Sequence, residues 1–358
     1  MPFQFSSFIN DFNNLNRVLP TPRMRKVYKK RFNPMSLRSE EFKKKYRFSK
    51  KNINKIIGII RSDLSSDNRG GHIPIDIQVM AAIRYWGRNE IQDDGADIHG
   101  FSQPTLCQIC KRVARALATK RPLFIKMPTS FSDQIRTMNK FSQIREFPKV
   151  VGAIDCTHIR IPKVGGPSGQ YYINRKGYYS LNTQVVCDAS LKINDIVCRW
   201  RGSTHDSRIF RESRIKQRFD DGEFNGRLLG DGGYPCTNIL FTPVLNPRTD
   251  PEIRYNIAHI ATRNTVERCF GVWKQRFRIL LSGMRCSLEN AKTTIIALAV
   301  LHNLAIDLQD VLPPTDDDVN DDNQADSTEN QERSQQEGSN QNLTRRVFIE
   351  QYFSTRNQ

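Results

Sequence analysis

An uninterrupted run of small and apolar residues, Val150–Ile154, lies between Pro148 and Pro162 and leads directly to one carboxylate, Asp155. Unbroken valine, isoleucine and alanine of this length predicts a strand that is buried on both faces. An acid at the end of such a strand costs free energy unless it is paired, protonated or bound to a metal ion. The hydrophobic pattern therefore makes Asp155 a candidate functional residue.

Three further strands are predicted after this one, over residues 178–189, 195–202 and 227–229. The turns at 174–177 and 191–195 are short, which implies antiparallel hairpins among the first three strands. A helix predicted over 206–219 then carries the chain to the fourth strand. Such a crossover places the fourth strand beside the first and parallel to it.

The region before the strands has a helical pattern. Apolar residues at steps of three and four predict a helix from Pro74, and a shorter helix follows over 91–98. A turn at Gly100 and an N-cap at Ser102 introduce another helix that ends near Ala118. A short helix, a glycine turn and a second helix form the plan of a helix-turn-helix, although an ordinary helical hairpin needs the same residues. If the segment is a helix-turn-helix, five residues of its second helix would face a DNA groove: Gln103, Thr105, Gln108, Lys111 and Arg112.

The change from helical to strand pattern near residue 145 divides the chain. The predicted units are a basic N-terminal region (1–70), a helical, helix-turn-helix-like domain (71–145), an α/β domain (146–312) and an acidic, polar tail (313–358). The tail is predicted to be disordered because it has almost no core-forming residues. Apolar spacing returns at 343–353, which suggests a docking segment for a partner or for the body of the protein.

Charge adds an expected ligand class to this picture, because the excess of basic residues is large and unevenly distributed. The net charge is +18, yet residues 313–342 contain nine acids and one base, so the remainder carries a net +26. Such a body favours a polyanionic partner, of which nucleic acid is the commonest, while basic charge kept for solubility is the alternative. The run at 23–31 has the composition of a nuclear localisation signal or of a phosphate-contacting arm.

Location follows from what the sequence lacks. No apolar run is long enough to cross a bilayer, and no basic amphipathic helix accompanies the charge, so no membrane partner is expected. The N-terminus does not have the pattern of a secretory signal, and the eight cysteines are too irregularly spaced for a disulfide scaffold. We therefore expect an intracellular protein in a reducing compartment, namely the nucleus, with the cytoplasm as a second location.

Two more acids join Asp155 as candidates. Asp231 follows the fourth strand inside a Gly-Asp-Gly-Gly turn, and Glu267 lies on a predicted amphipathic helix. Each has an ordinary structural explanation: Asp155 as a buried hydrogen-bonded acid, Asp231 as a turn residue, and Glu267 as the partner of Arg263 four residues earlier. Considered together, however, the two strands and the helix each supply one acid. Three converging carboxylates would repel, and divalent cations such as Mg²⁺ or Mn²⁺, as a pair of ions, would remove that cost.

At these residues the chain resembles the PIF/Harbinger transposases and the Harbinger transposase-derived nucleases of animals. The resemblance rests on the segments GAIDCTHIRI, GSTHDSRIF, LLGDGGYP, RNTVERCFGVWKQRFRIL and ALAVLHNLAI, in this order. It implies an RNase H-like fold, a mixed sheet flanked by helices, whose catalytic, metal-binding acids are Asp155, Asp231 and Glu267. The His205-Asp206 pair matches the family and is expected to order the end of the third strand, without binding metal.

The resemblance also implies contacts and partners. DNA-backbone contacts are expected from four basic residues: Arg268, Lys274, Arg276 and Arg278. A separate Myb/SANT-like protein is expected to supply sequence-specific DNA binding. The segment around residues 171–179 interleaves tyrosines with basic residues, which is typical of a platform for a DNA strand or simply of packing at a strand edge.

The sequence thus predicts a metal-dependent, transposase-like DNA endonuclease that cleaves strands, and it leaves open whether strand transfer follows. Two alternatives stay open at this point. The first is a domesticated, non-catalytic DNA-binding or adaptor protein, and the second is an RNA-directed nuclease of the same fold. The sequence does not determine the oligomeric state, although an oligomer is compatible with it.

Overall fold

A five-stranded mixed sheet lies at the centre of the chain. Its strands are β1 (Val150–Arg160), β2 (Ser180–Cys187), β3 (Ile193–Arg201), β4 (Arg227–Leu229) and β5 (Leu240–Phe241). The computed structural model describes residues 31–64, 72–312 and 339–354. Most of the predicted basic run (23–31) and residues 313–338 of the tail that is predicted to be disordered lie outside these residues. The strand order is β3-β2-β1-β4-β5.

The pairing of the strands follows the predicted topology. Strands β1, β2 and β3 form an antiparallel meander, and β4 lies beside β1 and parallel to it. Strand β5, which pairs parallel to β4, has only two residues and was not predicted. The expectation that Asp155 ends the first strand is wrong. Strand β1 continues for five residues because Cys156–Arg160 pairs with Ser180–Gln184 of β2.

Helices cover the sheet and form most of the N-terminal half. Within the described residues, the α-helices before the sheet are α1 (Ser39–Tyr46), α2 (Lys50–Ile60), α3 (Ile75–Arg88), α4 (Gln92–Ile98), α5 (Gln103–Thr119), α6 (Arg121–Phe124) and α7 (Phe131–Arg145). Those described after β3 are α8 (Asp206–Arg211), α9 (Arg214–Asp220), α10 (Asp250–Arg276), α11 (Ile279–Ser282), α12 (Leu288–Asp307) and α13 (Ser339–Phe353). The single helix predicted over 206–219 is two helices, because Ser213 accepts a hydrogen bond from the Lys216 N–H and caps a new one.

The helical half and the sheet share one continuous hydrophobic core. Trp86 of α3 and Leu106 of α5 belong to the same cluster of buried side chains as Ile159 of β1, Trp273 of α10 and Leu298 of α12. Burial of this kind is the main favourable contribution to folding, so the two halves stabilise each other. A separate helical domain ending at residue 145 therefore stays a prediction.

The C-terminal helix α13 docks on the body of the protein, which was one of the two predicted roles of residues 343–353. Phe348 and Phe353 are buried, and the Phe348 ring lies 5.6 Å from that of Phe147. The Arg254 guanidinium of α10 donates to the Phe353 carbonyl at 2.7 Å. Among the described residues, no helix has the length and apolar character that a bilayer crossing requires.

Gly152 of β1 is expected to tolerate no side chain. A Cβ there would lie 2.5 Å from Cγ1 of Val186 and 3.0 Å from Cδ2 of Leu228, on the two strands that flank β1. Gly152→Ala should therefore lower the free energy of unfolding by about 1–3 kcal/mol, as overpacking does. Urea unfolding measures this, with Gly165→Ala as control because a Cβ at that position meets nothing within 4 Å. Equal stability of the two variants would contradict the tight packing at Gly152.

Candidate active site

Asp155 and Asp231 lie at corresponding positions of two adjacent chain segments. Ala153 of β1 pairs with Leu229 of β4 in parallel register, and each aspartate follows two residues later. The main chain continues in line past β4, since the Gly230 N–H donates to the carbonyl of Phe241 at 3.0 Å. Adjacent strands are about 4.8 Å apart, so the two carboxylates are neighbours. The alignment of these two acids agrees with the prediction from topology.

Asp231 also has the turn role that its Gly-Asp-Gly-Gly setting suggested. Its Oδ1 accepts a hydrogen bond from the Gly233 N–H at 3.0 Å. The side chain is half-buried rather than fully withdrawn from solvent. The turn thus fixes the direction of the carboxylate, and the structural and functional explanations of Asp231 are compatible.

Helix α10 carries the third acid, and its sequence explains where the helix begins and which side is buried. Thr249 and Glu252 form a capping box at its start, and Val266 and Trp273 are buried. Glu267 lies on the exposed side. His259, eight residues before Glu267, is buried; its ring Nε2 donates to the Phe241 carbonyl, and burial lowers its pKa to about 4.

Arg263 joins two of the three acids through one guanidinium nitrogen. Its Nη1 lies 2.8 Å from Oε1 of Glu267 and 3.4 Å from Oδ2 of Asp155. The side chain of Arg263 is 13% exposed and that of Asp155 is 16% exposed, whereas that of Glu267 is 49% exposed. The Arg263–Glu267 pair was foreseen from its spacing of four residues. The second contact brings Asp155, 108 residues away in the chain, to the same cation.

Burial and repulsion by Asp231 make the ionised states of Asp155 and Asp206 unfavourable. Burial raises the pKa of Asp155, the negative charge of Asp231 raises it further, and Arg263 opposes both effects. Asp206 belongs to the same cluster, because burial and then the Asp231 charge raise its pKa while a hydrogen bond from Asn182 lowers it. The site therefore concentrates negative charge, and Arg263 offsets part of it.

The His205-Asp206 pair begins four residues after the end of β3 and is hydrogen-bonded to its surroundings. Asn182 of β2 donates from Nδ2 to Oδ1 of Asp206 at 2.8 Å and to the Thr204 carbonyl at 2.9 Å. Arg175 donates from Nη2 to Nδ1 of His205 at 2.9 Å, since an arginine can only donate. These bonds hold the segment that links β3 to the acid cluster.

The donors of this site fit a divalent cation in their chemistry. Carboxylate oxygens are the ligands that Mg²⁺ and Mn²⁺ prefer, and the raised pKa of Asp155 indicates a need for positive charge. As the side chains stand in residues 31–64, 72–312 and 339–354, no group of three or more His, Cys, Asp or Glu is arranged to hold a metal ion. The Arg263 guanidinium contacts Asp155 and Glu267 in this arrangement.

The predicted DNA contacts on and after α10 differ in accessibility. Arg268 is exposed, and Lys274 and Arg278 are half-buried. Arg276 was wrongly assigned to this group. Its side chain is buried, donates to the main-chain carbonyls of Arg47 and Asp310, and has its pKa lowered to about 10 by burial. It follows Trp273 by three residues, so it lies on the inward side of the helix.

The helix-turn-helix-like segment packs through small and apolar side chains and turns at the predicted glycine. Ala96, Leu106 and Ile109 are buried, and Gly100 turns the chain with a φ of +73°. The five predicted DNA-facing residues of α5 are partly or fully accessible: Gln103, Gln108 and Arg112 are exposed, and Thr105 and Lys111 are half-buried. A surface suited to a groove is therefore present, and its use for DNA stays a prediction.

The sheet and the acids define a class of protein. A central strand, its parallel neighbour and a later helix each supply one acid, and residues 154–303 match the model of the DDE superfamily endonuclease family. The chain is 30% identical over 267 residues to the human protein named "Putative nuclease HARBI1", which covers 73% of this chain and 76% of that protein. It is 26% identical over 293 residues to "Protein ALP1-like" of Arabidopsis thaliana, covering 75% of this chain and 71% of the relative.

These similarities identify the family. The chain belongs to the Harbinger transposase-derived proteins of the PIF/Harbinger family, within the DDE superfamily of endonucleases. The endonuclease domain of this superfamily is RNase H-like, so the fold predicted for that part of the chain is confirmed. No solved structure matches the chain.

Proposed function

We propose that this protein is a divalent-metal-dependent DNA endonuclease, transposase-like, that cleaves phosphodiesters by in-line attack and can transfer the freed strand. One observation carries the proposal. Asp155 and Asp231 lie side by side on adjacent parallel segments, and Arg263 links Asp155 to Glu267 of α10. The site thus brings together acids from three separate elements of a basic protein.

Asp155, Asp231 and Glu267 are the residues that would hold Mg²⁺ or Mn²⁺, with two ions as the expected number. Bound ions of this kind activate a water or hydroxyl nucleophile and stabilise the leaving oxygen. Glu267 is the more accessible member, because its side chain is about half exposed while that of Asp155 is largely buried. Release of both acids by Arg263 would leave a guanidinium free to pair with a phosphate.

The DNA is proposed to bind across two surfaces. Arg268, Lys274 and Arg278 continue from the helix that carries Glu267 and suit the phosphate backbone of the strand being cut. The accessible residues of α5 suit a groove: Gln103, Thr105, Gln108, Lys111 and Arg112. Contacts to phosphate would make binding fall steeply with salt.

Cleavage of supercoiled plasmid by the purified full-length protein tests the proposal. Nicking or linearisation is expected with Mg²⁺ or Mn²⁺ and not with EDTA. Asp155→Asn, Asp231→Asn and Glu267→Gln should each lower the rate by about 10³-fold or more, since losing a metal ligand removes several kcal/mol of transition-state stabilisation. Glu289→Gln is the matched control, because that side chain is 81% exposed on α12. Equal cleavage by all variants would contradict the assignment, and preference for an RNA–DNA hybrid would change the substrate class.

One observation favours a second candidate, a non-catalytic DNA-binding or adaptor protein. The Arg263 guanidinium already offsets the charge of two acids without a metal, as a purely structural cluster would require. This candidate predicts salt-sensitive DNA binding without cleavage under any divalent ion. The plasmid assay and a salt titration of DNA binding on the same preparation separate the two.

We also propose a nuclear protein that acts with a Myb/SANT-like DNA-binding partner. The basic run at 23–31 supports nuclear import, and the net charge of +18 supports a polyanionic ligand. A tagged full-length chain should accumulate in nuclei, and replacing the basic residues of 23–31 should reduce this unless the partner carries it in.

A further inference from the structure

The loop between β1 and β2 presents an aromatic ring backed by a cation. Tyr171, in a short 3₁₀ turn at Gly169–Tyr172, has 56% of its surface exposed. The guanidinium of Arg201, the exposed last residue of β3, lies 5.2 Å from the Tyr171 ring centroid and 5.8 Å from that of Tyr172. An exposed tyrosine ring paired with an arginine differs from a ring that is buried by packing, because much of its surface stays available to a ligand.

The main chain of this turn is fixed in place. The Ser203 N–H donates to the Tyr171 carbonyl at 3.1 Å, which ties the turn to the residues after β3. Gly202 allows this approach, because a Cβ there would lie 2.4 Å from the Tyr172 carbonyl oxygen. A turn whose backbone is already ordered loses little backbone entropy when it binds a ligand. The turn is therefore a preformed surface.

The same residues lie close to the acid cluster. Three residues, 203–205, separate Arg201 and Gly202 from Asp206, and Asn182 holds that segment through the Thr204 carbonyl. Across the sheet, Arg201 pairs with Leu181, which pairs with Ile159 of β1. Ile159 follows Asp155 by four residues on the same face, a distance of about 13 Å along the strand.

The charge of the loop suits a polyanion. No Asp or Glu occurs between Asp155 and Asp188, while this stretch contains Arg160, Lys163, Arg175 and Lys176. A second cation and ring lie together here, since the Arg160 guanidinium is 4.4 Å from the Tyr178 ring centroid. Aromatic rings interleaved with basic side chains are the arrangement that binds single-stranded nucleic acid.

We propose that Tyr171, backed by Arg201, is a stacking platform for an unpaired base of the DNA strand that enters the acid cluster. This inference rests on the proposed function, that the chain acts on DNA. A paired duplex has its base faces covered by neighbouring bases and offers only phosphates to this loop. An unpaired strand offers a face to Tyr171 and a phosphate to Arg201, and stacking of this kind accepts any base.

Anisotropy titrations of the full-length protein in EDTA, which prevents metal-dependent cleavage, test the platform. The probes are a labelled oligothymidine and a blunt duplex, each of about 20 nucleotides per strand, enough to span a typical single-strand site. Tyr171→Ala should weaken oligothymidine binding by about tenfold to a hundredfold and duplex binding by less than about twofold. Tyr171→Phe and Tyr171→Trp should bind like the wild type, because they keep the ring. Phe131→Ala is the control, since Phe131 is 68% exposed on α7.

Several results would overturn the inference. Unchanged oligothymidine binding by Tyr171→Ala would do so, as would an equal loss on both probes or a Tyr171→Phe variant as weak as Tyr171→Ala. Preference of the wild type for oligouridine over oligothymidine by more than about tenfold would assign the platform to RNA. If the wild type bound neither DNA probe, the proposed function would fail as well. Absence of plasmid cleavage alone would leave the platform standing.

Discussion

Asp155→Asn is expected to make the metal-free protein more stable than the wild type near pH 8 and to abolish stabilisation by Mn²⁺. Burial and the Asp231 charge raise the pKa of Asp155 in the folded state. A carboxyl group with a raised folded pKa stabilises the fold while it is protonated, and this contribution is lost as pH rises through that pKa. Asparagine is neutral at every pH, and Arg263 keeps its pair with Glu267. The variant should therefore gain relative stability as pH rises.

Thermal unfolding between about pH 5 and pH 8, with and without Mn²⁺, measures both effects. Excess Mn²⁺ at about 100 times its dissociation constant should stabilise the wild type by about 2.7 kcal/mol and the variant not at all. The exposed Glu289→Gln variant should follow the wild type in both respects. A variant that is less stable at all pH values and still responds to Mn²⁺ would mean that Asp155 is only a structural hydrogen-bonding acid.

Arg263→Gln is expected to tighten Mn²⁺ binding while weakening the metal-free fold. Arg263 is the cation that contacts both Asp155 and Glu267, so a metal ion must compete with it for their oxygens. Removing a competing charge-assisted contact worth about 1.4 kcal/mol lowers the dissociation constant about tenfold. The same change leaves repelling acids without compensation and should lower the melting temperature in EDTA.

Calorimetric titration with Mn²⁺ and unfolding in EDTA give the two numbers for Arg263→Gln. Arg136→Gln is the matched control, because Arg136 is 67% exposed and pairs with Asp133 on α7, a helix that carries none of the clustered acids. A gain in Mn²⁺ affinity together with a loss of metal-free stability is expected for Arg263→Gln and not for the control variant. If Mn²⁺ binding weakened instead, Arg263 would support the metal site rather than compete for it, and the account of this residue would be wrong.

Periodicity and topology predicted most of what positions the site. The apolar run leading to Asp155 indicated a buried central strand, and short turns followed by a helical crossover placed the Asp231 segment parallel to it. Turn length and apolar spacing are local signals, because each is read from residues that are only a few positions apart in the chain. The length of β1 was underestimated because an acid was read as the end of the strand, whereas pairing with β2 continues past it.

Helix α10 shows where the sequence pattern fails. Its hydrophobic spacing predicts one buried stripe, yet His259 and Arg276 are buried while Ile253, Ile257 and Ile260 are exposed. A 27-residue helix packs against different elements along its length, so the inward direction is not constant. Buried polar groups at such places are tolerated because main-chain carbonyls accept their hydrogen bonds, as Phe241 does for His259.

The link between Arg263 and Asp155 could not be predicted for a different reason. The spacing of four residues predicts the pair of Arg263 with Glu267, but nothing in the sequence predicts a partner 108 residues away. Only the packing of α10 against β1 creates that contact. The role of Asp206 as a further member of the acid cluster likewise depends on the fold, since its charge interacts with Asp231 across separate elements.

The central claim is that Asp155, Asp231 and Glu267 together hold divalent cations. Iron-directed cleavage of the polypeptide tests it without any DNA: Fe²⁺ takes the place of Mg²⁺, and ascorbate with peroxide generates radicals that cut the chain beside the bound ion. The account predicts three sets of fragments, with ends near residues 155, 231 and 267, suppressed by excess Mg²⁺ and absent in Asp155→Asn. Cuts confined to the acidic segment 313–342, or cuts unaffected by Asp155→Asn, would contradict it.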